Sequence, residues 1–136
     1  MYLKLFLIIL IPFFIGCEER AKPIVIKSPS LTTPIKCMSL NKLNIDKEFI
    51  DRLERLYPFR NDCNLKLNVS YKNNIICNSG YNIMRKTTGK FPKSYLKFEL
   101  RKGMKLLYSY YIDLYSNVNG DEIERSFLEV KSDLLQ

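Results

Sequence analysis

The stretch Leu96-Lys97-Phe98-Glu99-Leu100-Arg101-Lys102-Gly103-Met104-Lys105-Leu106-Leu107-Tyr108-Ser109-Tyr110-Tyr111-Ile112-Asp113-Leu114 decides the fold. Leu96, Phe98 and Leu100 alternate with polar neighbours, and so do Met104, Leu106, Tyr108, Tyr110, Ile112 and Leu114. Side chains of a strand point to opposite faces in turn, so this period of two specifies two half-buried strands. Register follows from keeping the apolar faces together. A two-residue turn at Lys102-Gly103 would pair Leu100 with Lys105 and mix the faces. A three-residue loop, Arg101-Lys102-Gly103, pairs Leu100 with Met104, Phe98 with Leu106 and Leu96 with Tyr108. It also sets Gly103 where a left-handed residue is needed and places Glu99 opposite Lys105.

Upstream, Leu65, Leu67, Val69 and Tyr71 alternate in the same way. A turn at Lys72-Asn73-Asn74 returns the chain through Ile75 to Ser79, a first hairpin with Cys77 opposite Val69. Gly80, Gly89 and Pro92 mark residues 80–93 as a loop. The period is helical on either side of these strands. Asp46 to Tyr57 reads as a helix capped by Asp46, with Ile45 stapled on Ile50, an apolar face of Phe49, Leu53 and Leu56, and the i,i+4 pairs Glu48/Arg52 and Asp51/Arg55. Pro58 ends it. A second helix runs from about Gly120 to Leu135, capped by Asn119 with Glu122 completing a capping box. Its inward face is Ile123, Phe127, Val130 and Leu134. The expected fold is α+β: a two-layer domain over residues 37–136, with a four-stranded antiparallel sheet and two helices in the order α-β-β-β-β-α.

The chain has 136 residues and 22 Lys+Arg against 14 Asp+Glu, with four Cys and neither His nor Trp. One domain fits this length. Without His there is no Ser-His or Cys-His triad and no imidazole metal ligand. The N-terminus is a targeting signal: Met1 to Lys4 provides a short positive start, and Leu5 to Ile15 is apolar but shorter than the roughly 20 residues of a spanning helix. The signal ends in Phe14-Ile15-Gly16-Cys17, followed by Glu18-Glu19-Arg20. This ending resembles the lipobox of bacterial lipoprotein precursors, in which Leu is commoner where Phe14 stands. The resemblance covers the targeting segment alone. It implies cleavage after residue 16, with Cys17 becoming the first residue, linked to diacylglycerol and N-acylated, in the membrane facing the periplasm. By the sorting pattern of that class, Asp after the lipidated Cys retains a protein at the inner membrane. Glu18 stands there, which favours the outer membrane.

Residues 17–36 contain Pro23, Pro29 and Pro34 among Ser and Thr. They read as an extended tether between lipid and domain, with Ile24-Val25-Ile26 as an alternative edge strand. Outside the cytoplasm a disulfide is permitted. With Cys77 opposite Val69, Cys63 lies six residues further along, about 20 Å away, beyond bridging distance. That leaves Cys37–Cys63, which is preferred, or Cys37–Cys77; the alternative is three reduced thiols. No Cys-x2-Cys pair exists to hold zinc.

Charge is uneven. From Arg60 to Lys105 there are eleven Lys+Arg against the acids Asp62 and Glu99; from Leu106 to Gln136 there are two Lys+Arg against six acids. Arg85, Lys86, Lys90 and Lys93 interleave with Tyr81, Phe91 and Tyr95, a basic aromatic segment suited to an anionic partner. For an exported protein that partner is a glycolipid, a headgroup or an acidic protein surface rather than nucleic acid. Tyr108 and Tyr110 belong to the core face; Tyr95, Tyr111 and Tyr115 share the other face. No catalytic constellation, Gly-rich phosphate loop or cofactor motif is present. The expectation is therefore a non-enzymatic envelope lipoprotein that binds or supports a larger assembly, without cofactor or metal. Alternatives are a glycolipid-binding lipoprotein or a small immunity, exclusion or inhibitor lipoprotein. In outline the anchor, sheet and helices are similar to the lipoprotein partner of the outer-membrane lipopolysaccharide translocon, with no shared residue motif.

Overall fold

The computed structural model describes residues 20–76 and 91–136. Cys17, Cys77, Tyr81, Arg85, Lys86 and Lys90 lie outside the described residues. The elements are β1 (Ile24–Lys27), β2 (Ser39–Asn41), α1 (Lys47–Leu56), β3 (Leu65–Lys72), β4 (Ser94–Lys102), β5 (Lys105–Leu114) and α2 (Gly120–Leu135). The domain is α+β: five strands form one mixed sheet in the order β1-β5-β4-β3-β2, and both helices cover one face of it.

The expected four-stranded antiparallel sheet is corrected in three respects. First, the antiparallel neighbour of β3 is β4 rather than an adjoining return strand, with Val69 opposite Phe98 and Leu67 opposite Leu100. Two strands with matched apolar faces thus close over a long connection; the expected place of Cys77 opposite Val69 falls outside the described residues. Second, β2 adds to the outer edge of β3 in parallel, Leu40 opposite Leu67, so β2, α1 and β3 make a β-α-β unit. Third, residues 20–36 do not act as a free tether. Of the two readings of Ile24-Val25-Ile26, the edge strand holds: β1 pairs antiparallel with β5, Val25 opposite Tyr110. Ile35 is buried in the core, and its N–H caps the C-terminal end of α2 by donating to the Leu134 carbonyl at 2.9 Å.

The register of the β4–β5 hairpin is also corrected. Leu100 faces Tyr108, Phe98 faces Tyr110 and Leu96 faces Ile112, while Lys102 faces Lys105 across a two-residue turn. Gly103 takes the first turn position with φ +58°, the place where a II′ turn requires Gly. A bulge beyond Leu100 resolves the face mismatch. Leu107 and Tyr108 are consecutive buried residues, whereas Met104 is 94% exposed. The apparent alternation from Met104 therefore belongs to two different faces. Glu99 lies opposite Ser109, not Lys105.

Both helices form as their periodicity requires. In α2 the Asn119 side chain accepts from the Glu122 N–H at 2.9 Å, and Ile123, Phe127, Val130 and Leu134 are fully buried. In α1 Asp46 stands at the cap position without a side-chain cap bond; its own N–H donates to the Tyr71 hydroxyl at 3.1 Å instead. The Glu48–Arg52 pair forms at 3.4 Å. Arg52 crosses to the start of α2, reaching Asp121 at 3.1 Å and Glu124 at 3.4 Å. Its guanidinium occupies the space a Cβ on Gly120 would need, which is why the first residue of α2 has no side chain.

The edge of β1 is blunted by its prolines. Ser28 N–H donates to the Leu107 carbonyl at 2.8 Å, in the register that pairs Ile24 with Tyr111. Even-numbered residues thus bond inward, and the backbones of Pro23, Val25, Lys27 and Pro29 turn outward. The two prolines bring no N–H to that edge, which discourages an added strand.

Candidate functional site

Two features stand out beyond the core: the uncovered face of the sheet, and a cation fixed under its edge. The uncovered face follows from strand parity. Tyr95, Lys97, Glu99 and Arg101 of β4 alternate with its buried residues, as do Ser109, Tyr111 and Asp113 of β5 and Lys66, Asn68, Ser70 and Lys72 of β3. Tyr95 and Tyr111, expected on one face, stack there with ring centroids 5.7 Å apart. Tyr111 OH donates to Asp113 at 2.7 Å, and burial with that bond pushes its pKa up to about 12. Tyr115 lies beyond the end of β5 and takes no part in this stack.

Glu99 sits between two cations on the same face, 2.9 Å from Lys97 and 3.0 Å from Arg101. Burial works against its charge, but the bonds from Lys97 and Arg101 prevail and hold its pKa low. Lys66 and Lys72 are exposed and make no ion pair among the described residues. Ile24 and Ile26, 59% and 61% exposed, extend the face with apolar surface. A face built of stacked rings, spare ammonium groups and an apolar margin can bind an anionic or mixed surface. Of the basic aromatic segment, Phe91 is half-buried and Lys93 exposed at the entry to β4, and Tyr95 stands on the open face.

The fixed cation is Arg20, whose side chain is 12% exposed. It bridges β5 and α2: Nη1 to Glu129 at 2.8 Å, Nη2 to Glu122 at 3.0 Å, and Nη2 donating to Tyr110 OH at 3.0 Å and Ser126 Oγ at 3.2 Å. Tyr110 OH donates to Glu129 at 2.6 Å, and one turn on Tyr108 OH donates to Asp133 at 2.7 Å. Burial first, and the bond to Glu129 second, push Tyr110 up to about 12. Glu129 is opposed by burial, yet Tyr110 and Arg20 keep its pKa below the usual carboxylate range. An open cleft of about 500 Å³ adjoins this cluster, lined by Val25, Leu128 and Asp133 among others.

Arg20 was not singled out by sequence. The available signal was on α2, where Glu122, Ser126, Glu129 and Asp133 recur at helical spacing beside the apolar face. A partly buried acidic stripe of this kind requires a cation or hydroxyl partner. Replacing Arg20 by Met leaves Glu122 and Glu129 facing each other. The expected cost is about 2 kcal/mol, below that of a fully buried pair because Glu129 is partly exposed. The pH dependence supplies a signature. A carboxylate with depressed folded pKa contributes stability above its unfolded pKa and loses it as pH falls through the folded value. The wild-type domain therefore loses stability below about pH 4.5, and Glu129→Gln should flatten that slope in urea titrations run across this range.

Among the described residues no three His, Cys, Asp or Glu side chains gather as a metal site, and no helix is long and apolar enough to cross a membrane. Comparison with known protein families, with curated proteins and with solved structures finds no match.

Proposed function

We propose that this chain is a lipid-anchored bacterial envelope protein that binds a partner without catalysing a reaction, as part of a larger envelope assembly. The observation that carries the reading is the apolar run ending in Phe14-Ile15-Gly16-Cys17 before charged residues. The Cys37–Cys63 disulfide, with Cα atoms 6.0 Å apart, accords with an oxidising compartment. The open sheet face supports binding rather than chemistry, since its polar groups either pair with one another or are exposed cations. An acidic protein surface or an anionic glycolipid matches Lys72 and Lys93 beside the Tyr95–Tyr111 stack, with Lys66 farther along the same face opposite Arg101.

Cys17→Ser tests the anchor. The variant should incorporate no labelled palmitate and should leave the membrane pellet after high-salt washing, since two or three acyl chains are what hold the protein there. Palmitate labelling and membrane recovery equal to wild type would sink the reading.

A further inference from the structure

From the fixed position of Arg20 we infer that the domain has no stalk: one end of its sheet is held against the lipid surface. This inference rests on lipidation of Cys17. Arg20 bridges to Leu114, Ala21 N–H donates to the Asp113 carbonyl at 3.1 Å, and the Arg20 guanidinium is bound to Glu122 and Glu129 of α2. The chain is therefore part of the domain from residue 20 onward. Only three peptide units separate Arg20 from Cys17, a reach of at most about 11 Å. A twenty-residue tether would have allowed several tens of Å.

The bound end is identifiable. Leu114 closes β5 there, Lys93 N–H donates to the Leu114 carbonyl at 2.8 Å, and Lys72 pairs with Tyr95 at the adjoining end of β3. The turn at Gly103-Met104 is at the other end, about 33 Å away for ten residues of strand. The near end carries Lys22, Lys72 and Lys93, all exposed and without an ion pair among the described residues. Of its acids, Glu122 pairs with Arg20, Asp121 with Arg52 and Asp113 with Tyr111; Asp46 before α1 is exposed and makes no ion pair among the described residues, and Glu18 and Glu19 stand between Cys17 and Arg20 in the sequence. This end suits the anionic headgroups of the membrane in which the lipid of Cys17 is embedded.

The test uses the full lipidated protein in vesicles of phosphatidylethanolamine and phosphatidylglycerol. A photo-crosslinking side chain is placed at Asn117, in the loop that follows β5 at the near end, or at Met104 at the far end, and lipid adducts are counted by mass spectrometry. Asn117 should yield at least tenfold more adduct than Met104. Inserting twenty Gly/Ser residues between Glu19 and Arg20 should abolish that contrast while palmitate labelling is kept. The triple change of Lys22, Lys72 and Lys93 to Glu should lower the Asn117 adduct severalfold. Equal yields at the two positions, high or low, in a palmitate-labelled protein would overturn the orientation and leave the anchor standing. Loss of the palmitate label itself would overturn the anchor and the orientation together.

Discussion

Phe127→Ala should destabilise the domain by about 4 kcal/mol, the loss of a large buried ring together with the cavity it leaves. Phe127 is fully buried at the centre of the interface between α2 and the sheet. Its ring centroid lies 6.0 Å from that of Phe98 on β4 and 5.8 Å from that of Phe59, beyond the end of α1. It thus joins three parts of the fold that are distant in sequence, and no neighbour of similar size can fill its place. Against a total stability of roughly 5–15 kcal/mol, such a loss lowers the thermal midpoint by about 20 °C. The next residue is the control. Leu128 is 50% exposed, and Leu128→Ala should stay within about 1 kcal/mol. Calorimetry of the two variants reads the difference; equal losses would mean that α2 does not present the face described.

Removal of the Cys37–Cys63 bridge is the second large effect. The cysteines stand just before β2 and just before β3, 26 residues apart, and the loop they close contains β2 and α1. β2 is three residues long and holds the sheet edge through few bonds, among them Asn41 Nδ2 to Asn68 Oδ1 at 2.8 Å. Cross-linking a loop of this length lowers the entropy of the unfolded chain by about 3.5 kcal/mol at 25 °C. The variant Cys37→Ala with Cys63→Ala should lose about 3 kcal/mol in urea denaturation, and wild type under reductant should follow it. Detachment of β2 and α1 ahead of the rest of the sheet should appear as faster amide exchange at Leu40 than at Leu100. Unchanged stability in the double variant would show that packing alone holds this edge.

What was readable in the sequence was what depends on local periodicity and capping. Ile123, Phe127, Val130 and Leu134 identify the buried face of α2 without any tertiary information, and Asn119 marks its start. Strand parity placed Tyr95 and Tyr111 on one face and Tyr108 and Tyr110 on the other. Pairing was less accessible, because period two fixes the face of a strand but not its neighbour. Leu65 to Tyr71 matches the apolar face of residues 96–100 as well as that of a nearby return strand, and the longer, better-matched strand wins. The β5 bulge was hidden because Leu106-Leu107-Tyr108 continues an apolar pattern through the residue that breaks it. β2 has only three residues and no alternation to read. Residues 20–36 look like a linker because Pro23, Pro29 and Pro34 recur among Ser and Thr. Their attachment comes from Arg20 and Ile35, single residues whose partners, Glu122, Glu129 and Leu134, lie about a hundred positions away. At the candidate site, Tyr95 and Lys93 were found by composition. The Arg20 cluster was missed because one cation after a signal sequence carries no pattern of its own.

The proposal that the protein is lipid-anchored is tested most directly by the intact mass of the native protein extracted from membranes with detergent. The expected species begins at Cys17, carries one diacylglycerol thioether with or without an amide-linked acyl chain, and contains the Cys37–Cys63 disulfide. A chain that retains Met1, or one that begins elsewhere with an unmodified Cys17 thiol, would contradict it.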